Sequence, residues 1–116
     1  MGGDTSIDYT NPDVTASGTL AGSGSVNVAT TKRAKLIVVE TNAKSNTDHQ
    51  GRNLLIFEVD KGGVRIYVNS SGTRSDTPID SSGTVSTGGG FTVTDNQVTF
   101  TNVNSIQMYY TMAIYY

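Results

Sequence analysis

The chain has 116 residues, no cysteine and a formal charge of −2. That length suits one domain with a core of its own, the lack of cysteine excludes disulfides and zinc–thiolate sites, and the slightly acidic balance gives no electrostatic reason to hold nucleic acid. Seventeen Thr, twelve Val and thirteen Gly against four Leu and two Glu favour strands and turns over helices.

The expected fold class is therefore all-β: an antiparallel β-sandwich, jelly-roll-like, of about eight or nine strands. No run approaches the roughly 20 apolar residues of a membrane helix, and no apolar stretch follows the N-terminus as a signal peptide requires. The reading is accordingly of a protein without a membrane partner.

Residues 1–15 are polar, with a turn signal at Asn11-Pro12-Asp13 and only Ile7, Tyr9 and Val14 as anchors. They read as an N-terminal arm, and residues 16–116 as the β-sandwich domain. Evenly spaced glycines between Ser17 and Ser25 predict two strands paired through a tight turn; they form no phosphate loop, because the Lys-Ser/Thr pair of such a loop is missing. Lys35-Leu36-Ile37-Val38-Val39-Glu40 is an unbroken apolar run between charges, the pattern of a central strand covered on both faces.

The polar loop 42–52 carries the single histidine, His49, beside Asp48. Two strands then flank Asp60-Lys61-Gly62-Gly63, which predicts a hairpin with its positive φ supplied by the paired glycines. In its second arm Val64, Ile66 and Val68 share one face and Arg65 and Tyr67 the other, so one face should meet water. A long polar stretch, 69–82, follows. Strands are expected again at 84–86, at 88–93 and at 98–100, the last two joined across Asp95-Asn96.

Residues 106–116 hold four of the six tyrosines and no Gly, Pro or charge. They predict one long strand inside a sheet, with Ile106, Met108, Tyr110, Met112, Ile114 and Tyr116 inward and Tyr109 and Tyr115 on the opposite face.

Signals for catalysis are weak. Asp48 and His49 lack a nucleophile elbow nearby, and most aspartates sit in turns, where their side chains cap backbone amides. Asp76 and Asp80 match no calcium loop. No catalytic residue, metal or cofactor is expected. Binding is better supported, since tyrosines among amides and carboxylates suit either a sugar surface or a subunit contact. The candidate binding residues are Arg65, Tyr67, Tyr109 and Tyr115, with the subunit contact favoured.

Gly18-Thr19-Leu20-Ala21-Gly22-Ser23-Gly24, Lys35 to Val39, Gly90-Phe91-Thr92-Val93 and Met108 to Tyr115 together resemble a module of structural proteins of tailed bacteriophages. Leu20 stands where that module carries an aromatic residue, and Ala34 where it carries proline. The resemblance implies a virion component of a tail-fibre tip, a head fibre or a capsid-decorating protein, assembled as a homotrimer. With no shaft segment in the sequence, the expectation is a separately encoded, non-enzymatic protein docked on the major capsid or tail protein through its arm. A lectin-like module that binds a host surface glycan is the alternative.

Overall fold

A computed structural model describes residues 7–43 and 51–116. Nine strands and no helix are present among them. They are β1 (Val14–Leu20), β2 (Ser25–Ala29), β3 (Leu36–Ala43), β4 (Arg52–Glu58), β5 (Gly62–Val68), β6 (Arg74–Ile79), β7 (Gly90–Thr94), β8 (Gln97–Thr101) and β9 (Met108–Tyr115). Six form one antiparallel sheet in the order β1-β9-β3-β4-β5-β6, and three form a second in the order β2-β8-β7. The fold class is the expected antiparallel β-sandwich.

The inner faces follow from side-chain alternation. In the small sheet Val26, Phe100 and Phe91 stand side by side, as do Val28, Val98 and Val93. In the large sheet one row across the inner face reads Val14, Ile114, Ile37, Phe57, Gly63, Ile79. An aromatic column joins the layers: the rings of Phe57 and Phe91 are stacked with centroids 5.3 Å apart, and those of Phe91 and Phe100 lie 5.2 Å apart. Each such ring removed from water contributes about 1.5–3 kcal/mol, with offset or tilted contacts adding to it.

β9 is an interior strand, shorter at both ends than the expected 106–116, so that Ile106 and Tyr116 fall outside it, with Met108, Tyr110, Met112 and Ile114 buried on its inner face as its alternation predicts. The β4–β5 and β7–β8 hairpins also stand as expected. In the first, the left-handed conformation falls on Asp60 (φ 67°) and Gly62 (φ 123°) rather than on both glycines. Gly63 is needed for a different reason: a Cβ there would collide with the Ile56 carbonyl.

Other expectations fail. β1 and β2 do not pair: β1 lies on β9 and β2 on β8, so the glycine-rich link 21–24 is a crossing between layers. It is tied down by the Ser23 amide donating to Asn104 O (3.0 Å), and Gly22 lies tight against the Ser105 backbone. Residues 84–86 form only isolated bridges, Thr84 to Gly90 and Val85 to Ile79, because positive-φ glycines at 83 and 88–90 break the extended run. The polar stretch 69–82 hides β6, an edge strand whose charges and Pro78 need no apolar alternation and guard the open edge. β3 is roofed on its inner face only; outward, Val38 is half-buried and Glu40 is exposed.

Candidate interaction face

The sheet register lays out the outer face of the large sheet row by row. One row reads Thr15, Ala113, Val38, Ile56, Val64, Pro78, and the next reads Ser17, Thr111, Glu40, Leu54, Ile66, Asp76. The row beyond is more polar: Thr19, Tyr109, Asn42, Arg52, Val68, Arg74. An aliphatic patch of Val38, Leu54, Ile56, Val64 and Ile66 therefore lies on the side away from the small sheet, with Ile56 37% exposed. Over β1, β9 and β3 the small side chains Thr15, Ser17, Thr111 and Ala113 leave a shallow trough of about 500 Å³ beside Glu40.

One end of this face is covered by the chain itself. Residues 7–13 cross it before β1 begins at Val14, two residues inside the expected arm. Tyr9 packs on Tyr115 with ring centroids 6.1 Å apart, and the Tyr115 hydroxyl donates to the Tyr9 carbonyl (3.2 Å). The Tyr116 amide donates to Asp13 Oδ2 (2.8 Å), and the Asp13 amide to Ile114 O (2.9 Å). Ile7 and Tyr9 face Ile56 and Glu58 across a cleft of about 340 Å³. Asp8 folds this segment into a turn; side-chain hydrogen bonds from Asn11 and then Thr10 hold its carboxyl below the usual carboxylate range.

The four sequence-predicted binding residues do not form one site. Tyr109 is on the outer face and 48% exposed, with Asn42 and Arg52 in its row. Tyr115 shares that face at the other end of β9 but is buried under Tyr9. Arg65 and Tyr67 point the opposite way, between the layers, so the face expected to meet water is the inner one and Val64, Ile66 and Val68 turn outward.

Arg65 is buried and anchors a polar network at the open end of the sandwich. Its Nε donates to Asn53 Oδ1 (2.7 Å) and its Nη1 to Thr87 Oγ1 (2.8 Å), while the guanidinium sits 5.3 Å from the Tyr67 ring centroid. Asn53 Nδ2 in turn donates to Thr41 Oγ1 (2.9 Å) and Asn104 Oδ1 (2.6 Å). Burial pushes the guanidinium pKa down from its ordinary value, with Tyr67 opposing that shift. The network satisfies nearly every polar group it buries, which is what keeps such a cluster from costing stability.

Two further carboxylates serve a turn and the edge strand β6. Asp80 accepts from the Ser82 hydroxyl (2.6 Å) and the Thr84 amide (3.0 Å), and these bonds hold its carboxyl below the ordinary range. Asp76 is lowered by a bidentate contact with Arg74 at 2.9 Å. Among the described residues no three His, Cys, Asp or Glu side chains gather as metal ligands would. Asp48 and His49 lie outside the described residues.

What the sequence did not reveal was which face of β5 turns inward. Its alternation was legible, but the inward placement of its polar face depends on Asn53 and Thr87, residues 12 and 22 positions from Arg65. Comparison of the chain with protein-family models, with curated proteins and with solved structures finds no match in any of the three.

Proposed function

We propose that the chain is a non-enzymatic surface protein of a tailed-phage virion, seated on the capsid or tail through its N-terminal segment and associating with copies of itself. The observation that carries this reading is the aliphatic patch on the outer face of the large sheet, where β5 turns Val64, Ile66 and Val68 outward and Arg65 inward. Left open on a lone domain that patch costs free energy, whereas a subunit of an assembly buries it against a neighbour. The phage resemblance of residues 18–24, 35–39, 90–93 and 108–115 supplies the kind of assembly. Its contribution to the particle is added subunit contact, which stabilises a shell or tail by mass action.

An antibody against the purified chain should label density-banded phage particles, and a variant lacking residues 1–12 should stay folded but leave the particles bare. Bare particles with the complete chain would overturn the reading. A glycan-binding role on the virion is a second reading, favoured by the half-exposed Tyr109 ring with Asn42 next to it and Arg52 one strand further along the row. A ring stacks on the apolar face of a sugar while amide and guanidinium groups take its hydroxyls. Binding on a glycan array that is lost in Tyr109→Ala would support it, and an array with no binder would remove it.

A further inference from the structure

We propose that the outer face of the large sheet pairs with the same face of a second copy of this chain, about a two-fold axis lying between the sheets and crossing β4 at right angles between Leu54 and Ile56. This rests on the reading of that face as a surface of self-association and goes further by naming the symmetry and the partners. The outward side chains of β4 are, in order, Arg52, Leu54, Ile56 and Glu58: a cation, two aliphatics and an anion that also carries an exposed ion pair to Lys61 of its own copy at 3.4 Å. A half-turn about that axis reverses the strand, so Arg52 of one copy meets the partner's Glu58 and Leu54 meets the partner's Ile56. On β5 the same operation sets Val64 against the partner's Ile66.

Other arrangements waste this pattern. A two-fold axis along the strands would stack Arg52 on the partner's Arg52 and Glu58 on the partner's Glu58, a like-charge clash at both ends. A three-fold ring, which the phage resemblance implies, sets unlike surfaces against each other and leaves the self-complementarity unused. The paired arrangement has an aliphatic centre on β4 and β5 with Arg52, Glu58 and Asp76 at its rim, while Glu40 of β3, in the row of Leu54, comes over the partner's Val38. The cleft of about 340 Å³ between Tyr9 and Glu58 gives the stem of the partner's Arg52 a place to lie.

Light scattering on the full chain should give twice its 12.3 kDa mass. Ile56→Arg should give the single-chain mass with an unchanged strand spectrum by circular dichroism. Arg52→Glu and Glu58→Arg should each weaken pairing by about tenfold or more, and the double reversal should restore it, because opposite charges then face each other again. The charge pair keeps the test decisive even where Ile56→Arg fails to fold. A single-chain mass at about 100 μM, a mass of three chains, or a double reversal as weak as either single change would overturn the proposal. A single-chain protein that still labels phage particles would remove the pairing and leave the virion reading standing; a paired protein found on no particle would do the reverse.

Discussion

β9 and β5 are both alternating strands of the same sheet, yet they resolve the choice of face in opposite ways. β9 turns Met108, Tyr110, Met112 and Ile114 inward, under the small sheet. β5 turns its arginine inward and its aliphatics outward. The difference lies in what roofs them. Above β9 stand apolar strands; at the inner side of β5 stand Asn53 of β4 and the glycine-rich segment 83–90, whose Thr87 hydroxyl accepts from Arg65. A buried guanidinium is tolerable only where acceptors are already in place, and an aliphatic face is tolerable outside only where it shields little area or meets a partner. Which face of a strand goes inward is thus a property of the roof, not of the strand alone.

That contrast can be broken by substitution, and the largest effect belongs to its apolar side. Phe57→Ala removes the ring stacked on Phe91 and should cost about 3–5 kcal/mol, read as a shift of the denaturant midpoint. Asn53→Ala tests the polar roof: it strands the Arg65, Thr41 and Asn104 groups and should cost about 3 kcal/mol by the same measurement. A cost below about 0.5 kcal/mol would mean that water takes over for Asn53 and that the network does not orient β5. Ile56→Ala sits one residue from Phe57 on the opposite face and should cost under about 1 kcal/mol when measured in dilute, unpaired protein.

Acid sharpens the comparison from the surface. The carboxyls of Asp8, Asp76 and Asp80 are held below their ordinary range in the folded protein, whereas in the unfolded chain they return to about 3.9. Folded values below unfolded ones mean that their contribution is present above about pH 4 and is lost as pH falls through the folded values. The denaturant midpoint should therefore hold steady from neutrality to about pH 5 and drop below about pH 4, with Asp80→Asn making the drop shallower. The smallest effect is expected at Thr30, whose buried hydroxyl has no partner among the described residues. Thr30→Val should be neutral or raise stability by a few tenths of a kcal/mol, on the order expected when an unpaired hydroxyl is replaced by a methyl group.

Several elements were legible because they carry their own instruction. The Asp60-Lys61-Gly62-Gly63 turn, the Phe91/Val93 and Val98/Phe100 alternation, and the apolar even-numbered positions of β9 each specify local geometry and a dry side. β6 was not legible, because an exposed edge strand needs no apolar face and Arg74, Asp76 and Pro78 look like loop. The burial of Tyr115 was hidden for another reason: its cover, Tyr9, lies 106 positions away in a segment whose composition reads as a free arm.

The amino-acid sequence by itself determined the all-β class, the main hairpins and the alternation of each strand, since these follow from backbone sterics and the two-residue period of extended chain. Only the tertiary structure decided that β1 and β2 part into different layers, that Arg65 and Tyr67 lie inside while Val64 and Ile66 lie out, and that Tyr109 and Tyr115 have different exposures on one face. Those choices turn on which distant groups arrive to accept a hydrogen bond or exclude water, and such long-range company is not encoded in the local pattern of any one strand.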